Sequence, residues 1–441
     1  MKNKLFIINK AFIYVCSYLV AIYLFVMNGG AWRNDLSLNI DVERIQWQFL
    51  AFLIAAGLVS FTVNFYIEKK YSKSILKKIV LFVVCSVTYS YKFNGNFESY
   101  FSSFFLIIFW FLIFLVEAED FNIVWKAFVN VMVVYAVVSL IFYVGGSILH
   151  IIPESNITSL AWGSWTNDVR NFGNIYYEAQ FTDIHDRTSL PRNCGMFCEG
   201  PMYNFSLCLA LACDLFVVEN SYWWKRLILI VTIITTFSTT GYLFLLATVM
   251  LYLANVIFKE KGKTLSKKIF LIILFIGGVA GIGIMIHKIL TPTGAGSMNV
   301  RSDHIMACLK AWISSPVLGV GFQNSDAVLT FAQHQQGMSI GLLFFIATGG
   351  LVLSSILFIP YIMMGVAAVK NKRYDAFIFA TLFMFLFFTT AVSSYPIVRF
   401  FIAYLLVFDP EKELSIKRNI QLNTYIEGII HKVENKWGNI K

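Results

Sequence analysis

Hydrophobic positions along this chain come in long unbroken runs, without the two-residue alternation of a barrel strand. Twelve runs approach the roughly 20 residues that a bilayer-crossing helix needs. They cover about 5 to 28, 46 to 67, 78 to 93, 101 to 117, 124 to 148, 196 to 218, 226 to 238, 242 to 258, 269 to 288, 340 to 367, 375 to 393 and 396 to 408. Ser238, Thr239, Thr240 and Gly241 part the seventh from the eighth, and Ser393, Ser394, Tyr395 and Pro396 part the last two. Each break reads as a tight turn, with a kink in one tilted helix as the alternative. The pattern predicts an all-α polytopic membrane protein with a single transmembrane domain over 1–408. A tail from 409 to 441 follows, with Ile426, Ile429, Ile430, Val433 and Trp437 on one face, and is expected to lie on the inner leaflet.

Composition excludes the other classes. Of 441 residues, 58% are hydrophobic and only 14% charged, against the roughly one quarter that covers a soluble surface. Lys and Arg fix an orientation: with the N-terminus in the cytoplasm, all but ten of the 35 basic residues fall inside. Both termini are therefore expected inside, and the net charge of +10 is explained by topology without a nucleic-acid partner. The first run is too long for a cleaved signal and reads as a spanning helix.

Two outer loops stand out by length, about 149 to 195 and 289 to 339. The first is rich in Trp162, Trp165, Asn167, Tyr176 and Tyr177, which suits sugar rings or an interfacial aromatic belt equally. Seven of the ten Arg are outside, whereas 22 of the 25 Lys are inside. A planar guanidinium binds phosphate oxygens in pairs, so the asymmetry points to an anionic, phosphorylated ligand on the outer face. The alternative is pairing with outer carboxylates, most plainly for Arg170 and Arg187 beside Asp168 and Asp186. Arg192 precedes the sixth span and Glu199 falls at its apolar start, two turns along the same face if the helix begins early. That carboxylate is a candidate base, or a structural partner of Arg192.

In the second loop, 300 to 313 reads as a helix that puts Arg301 and His304 on one face and Ile305, Leu309, Trp312 and Ile313 on another. Gly319-Val320-Gly321 could let backbone amides approach an anion. His334 lies just ahead of the tenth span, and Arg399 sits at the start of an apolar run, where a charge needs a partner. Cys194, Cys198 and Cys308 lie on the side where a disulfide can persist. No spacing resembles a zinc site, and no ATP-binding phosphate loop is present.

Three patches resemble the O-antigen polymerase and ligase superfamily, which includes the Wzy-type polysaccharide polymerases. They are Arg192-x-x-Gly195-x-Phe197-x-Glu199-x-Pro201, the Ser238-Thr239-Thr240-Gly241 break, and Arg301 followed by Trp312, Ser315-Pro316, Gly319, Gly321, His334, Gly349 and Gly350. The likeness covers roughly 190 to 395; before that only hydropathy matches. Many relatives carry Arg or Lys beside the serine of the break, where this chain has Thr239.

The resemblance implies a GT-C-like glycosyltransferase with two large outer loops in the bacterial cytoplasmic (inner) membrane, using neither metal nor nucleotide sugar. Its substrate would be undecaprenyl-pyrophosphate-linked oligosaccharide, with a chain-length regulator as a further partner. The growing glycan would pass to the incoming lipid-linked unit. Arg192 and Arg301 would bind the pyrophosphate, Glu199 or His334 would be the base, and His304 and Arg399 are further candidates. A ligase that passes glycan to a lipid acceptor, or a non-enzymatic flippase, are the alternatives.

Overall fold

The structure is a computed structural model that describes residues 2–410 apart from 39, 68–72, 92–99, 119, 163–164, 184–185, 220, 260–275, 280, 282, 284–285, 287–289, 291 and 336. Most of the ninth expected span and the tail from 411 lie outside the described residues.

The described residues are mostly helical, and among them no barrel forms. In chain order the helices are α1 (Lys2–Val26), α2 (Val42–Ile67), α3 (Lys73–Tyr91), α4 (Ile107–Glu117) and α5 (Ile123–Phe142). A wider π turn, Phe101–Leu106, leads into α4, and another, Tyr143–Ile148, extends α5. After the first long loop come α6 (Gly200–Phe216), α7 (Trp223–Thr235) and α8 (Thr239–Lys259). The second long loop holds α9 (Pro292–Ser314) and α10 (Ser325–Leu329). The chain then finishes with α11 (Leu342–Asn371), α12 (Asp375–Thr389) and α13 (Pro396–Val407).

Among the described residues five helical segments are long and apolar enough to cross a membrane: 4–26, 42–67, 123–148, 239–257 and 342–371. Some of the other expected spans are shorter helices packed inside the bundle. Helix α13, only 12 residues long, is buried along its whole length between α4, α11 and α3, and α6 is covered by α5, α7, α8 and α12. A helix that is apolar all round belongs in such a position. Aromatic edges lock the centre: Trp125 meets Phe400 at 4.8 Å between ring centroids and Phe379 at 5.2 Å. The chain turns near both breaks, although the first turn falls at 236–238 and Thr239, Thr240 and Gly241 already belong to α8. Phe237, with a φ of 48°, reverses the chain between α7 and α8, and residues 390–395 separate α12 from α13.

The first long loop is not the irregular segment an all-α reading expects. It folds into β1 (Asn156–Trp162), β2 (Trp165–Phe172) and β3 (Tyr176–Glu178), an antiparallel sheet in that order, and a second pair, β4 (Phe181–Asp183) with β5 (Asp186–Pro191). Asn156 pairs with Asn171 and Arg170 with Glu178. The segment after α1 joins the edge of β1 through an Asp35–Leu160 bridge, and the buried Asp35 carboxylate accepts from Ser37 and Thr158. This anchors the sheet to the bundle end where α1 and α5 finish and α6 begins.

Candidate functional site

Residues 192–199 do not continue α6 backwards; they form a folded strap whose backbone is stitched to three elements. Arg192 donates its N–H to Gln180, Tyr177 donates to Gly195 at 2.8 Å, Ala31 donates to Met196 at 2.7 Å, and Asn193 donates to Thr235 at 2.9 Å. Gly195 takes a φ of 56°, which a side chain would strain. The expected two-turn spacing of Arg192 and Glu199 is therefore corrected: α6 starts at Gly200. Glu199 is its N-cap residue in an extended conformation, and its carboxylate makes no capping bond. Pro201 fits the first turn, where a missing N–H removes only a donor with no intrahelical partner.

Arg192 turns back over this corner. Its Nε donates to the carbonyl of Thr236 at 2.9 Å, in the break between α7 and α8. A Cβ on Gly200 would lie 3.0 Å from its Nη2. The turn between α7 and α8 thus contributes a carbonyl that aims an arginine. Arg301, on α9, lies close enough to Glu199 for the two charges to interact. Burial pushes the Arg301 guanidinium down from its ordinary value and Glu199 opposes that shift. At the start of α6, Arg192 packs on Gly200 next to Glu199, and Arg301 from the second long loop lies within electrostatic range of Glu199.

Arg399 lies nearby. It is 2% exposed in the first turn of α13, where Nη2 donates to Ser394 at 2.8 Å. Arg33, Tyr23 and Tyr395 complete its surroundings, and none of the three stood out in the sequence. Arg33 lies over the Tyr395 ring, 5.8 Å from its centroid, and interacts electrostatically with Arg399.

The two histidines part company. His304 is 1% exposed and uses both ring nitrogens: Nδ1 accepts from the Ser339 N–H at 3.1 Å and Nε2 donates to the His334 carbonyl at 2.9 Å. It ties α9 to the segment before α11, which argues against a catalytic role. Asp303 clamps His334 through its backbone N–H at 2.7 Å and ring Nδ1 at 3.1 Å. The same N–H, with that of Gln333, holds the Asp303 carboxyl below its usual range. The segment at His334 thus packs against α9 at both Asp303 and His304.

The Gly319–Gly321 anion cradle is also corrected. Its amides are already used: Gly319 donates to Ser315, Val320 to Ala347 and Gly321 to Thr348. This stretch is spliced into the kink of α11 at Gly350, whose φ is 60°. Tyr176 and Tyr177 are fully buried and cannot stack on a ligand, while the side chains of Trp162, Trp165 and Arg187 lie outside the described residues. Arg170 pairs with Glu178 at 3.8 Å, as a structural arginine does. All seven cysteines are free, so no disulfide forms; burial pushes the Cys194 and Cys198 thiols up to about 12, which leaves them inert. Among the described residues no group of His, Cys, Asp and Glu could hold a metal.

A cavity of about 650 Å³ opens beneath the sheet, lined by His150, Asp168, Arg170, Glu178, Ser189 and Pro191 among others. Pro191 precedes Arg192, so the cavity adjoins the arginine corner. Its wall is mixed polar and apolar. Compared with known proteins, the chain matches no family model and no curated protein.

Proposed function

We propose that this protein is a membrane glycosyltransferase that polymerises oligosaccharide units linked through diphosphate to an undecaprenyl carrier. In this reading twelve spans place both termini in the cytoplasm of a bacterial inner membrane and the sheet-bearing end on the outer face. The observation that supports the proposal is Glu199 with Arg192 packed on the neighbouring Gly200 and Arg301 within electrostatic range, and a cavity of about 650 Å³ whose lining reaches Pro191.

The chemistry is displacement at an anomeric carbon. A hydroxyl of the incoming unit attacks, its proton passes to the Glu199 carboxylate, and the bond from the anomeric carbon to the diphosphate oxygen breaks. The released lipid diphosphate takes the electron pair, and its growing negative charge is met by Arg192 and Arg301. One displacement inverts the anomeric configuration. A guanidinium aimed by Thr236 before the reaction needs no reorganisation as charge develops.

Purified protein given a synthetic lipid-diphosphate repeat unit should produce a ladder of products; absence of any transfer refutes the enzymatic reading and favours a flippase. Deletion in cells separates polymerase from ligase. Loss of a polymerase leaves single units attached, whereas loss of a ligase leaves none and accumulates lipid-linked polymer.

A further inference from the structure

Arg399 presents donors with nothing to receive them. Its Nη2 is bonded to Ser394, but Nε and Nη1 are buried with no hydrogen-bond partner among the described residues. The hydroxyl of Tyr23 on α1 is buried in the same condition. Arg33, half-buried in the segment after α1, lies close enough to interact with both Tyr23 and Arg399. Among the described residues neither arginine forms an ion pair with an acid. Two cations held together, one fully desolvated, repel each other unless an anion is bound between them.

We propose that Arg33, Arg399 and Tyr23 form a second anion site that takes a phosphoryl group. The argument is chemical. Every unused group is a donor, and two of the three residues are cationic, so the matching ligand is an acceptor carrying close to two negative charges. Phosphoryl oxygens meet guanidinium forks in this way.

The site is separate from the Arg192–Arg301 pair. Arg192 is fixed to the break between α7 and α8, Arg399 to the break between α12 and α13. Glu199 lies between them: its charge reaches Arg301 on one side, and Cys198 and Tyr395, which also interact with Arg33, on the other. Resting on the proposed polymerase reading, the second site holds the diphosphate of the second lipid-linked substrate, so that one carboxylate stands between two anchored carriers.

The test uses the full chain in discs of phosphatidylcholine, with thermal unfolding followed on adding inorganic pyrophosphate. To isolate the second site, the measurement is made on the R192A/R301A double variant. Pyrophosphate should still raise its Tm. Adding Arg399→Met should weaken apparent pyrophosphate affinity at least tenfold, and so should Arg33→Gln, a change at a half-buried position that leaves the interior intact. With no ligand, Arg399→Met should be at least as stable as its parent, because an unpaired buried charge has been removed. In parallel discs containing phosphatidylglycerol, stabilisation that depends on Arg399 and needs no pyrophosphate would identify a lipid headgroup as the phosphoryl source. The proposal is overturned if neither phosphoryl source stabilises the double variant, if the response survives both Arg399→Met and Arg33→Gln, or if ligand-free Arg399→Met is markedly less stable. No saccharide enters the measurement, so its failure is distinct from failure of the polymerase reading.

Discussion

The guanidinium of Arg192 lies against the Cα of Gly200, so near that a Cβ there would meet Nη2 at 3.0 Å and the Thr236 carbonyl at 3.0 Å. A methyl group at this position must shift the Arg192 guanidinium or the Thr236 carbonyl by a few tenths of an ångström. Gly200→Ala should therefore lower product formation by about 10- to 100-fold, the scale of a sub-ångström to 1 Å misplacement. Folding and membrane insertion should persist, checked by gel filtration of the purified protein. Unchanged turnover would show that the position of Arg192 is immaterial.

Arg301 occupies a desolvated place that lowers its affinity for a proton, yet a guanidinium stays charged there. A lysine begins lower, at about 10.4, and the same burial would bring it further down. A cation with a depressed value is present below that value and lost as pH rises through it. Arg301→Lys should thus retain some turnover at low pH and lose it progressively as the assay is made alkaline, while the unaltered protein follows no such fall. Arg301→Ala should lose about 10²- to 10³-fold or more at every pH.

His304 and His334 should separate cleanly. Replacing His304 by Ala breaks its bonds to Ser339 and His334 and should cost about 1–3 kcal/mol of stability, read from thermal unfolding. His334→Gln should keep most of the turnover, since its ring nitrogen is already engaged by Asp303. Asp303 adds a pH signature: its folded value lies below the unfolded value of about 3.9. Its contribution is complete above the unfolded value and disappears as pH falls through the folded one, and Asp303→Asn should remove that acid dependence.

Gly319 and Gly350 approach each other backbone to backbone, with φ values of 73° and 60°. Alanine at either should cost about 1–2 kcal/mol from the left-handed backbone alone, and more from collision with the facing chain. Reduced yield and a lower Tm are expected, with pyrophosphate binding by whatever protein folds left intact.

Much of the helical frame was legible because apolar runs are long and their interruptions are chemically plain. The turn near Ser238–Gly241 and the stop before Pro396 follow directly from their residues. The sheet was not legible, since β1 exposes Ile157 and buries Thr158, reversing the pattern that marks a strand with one face on a core. Asn and Tyr there looked like ligand chemistry, yet Tyr176 and Tyr177 are packing residues. Arg192 and Glu199 could be found because charge at the edge of an apolar run is costly, and Arg301 because arginine is concentrated in the outer loops. The placing of Arg192 next to Glu199 depends on a folded strap that no helical spacing anticipates. The glycines at 319 and 321 were read for the freedom they give the backbone, whereas their role is to let two segments touch. Arg33 and Tyr23 carried no local signal, and only the burial of Arg399 makes them conspicuous.

The most direct test of the arginine-anchored transfer is a reconstituted reaction with purified protein and a synthetic lipid-diphosphate repeat unit, resolved by product length and anomeric configuration. The account predicts a ladder joined with inversion, abolished by Arg192→Ala, Arg301→Ala and Glu199→Gln in protein that still folds. A ladder of undiminished yield from the Arg192→Ala and Arg301→Ala proteins would contradict it.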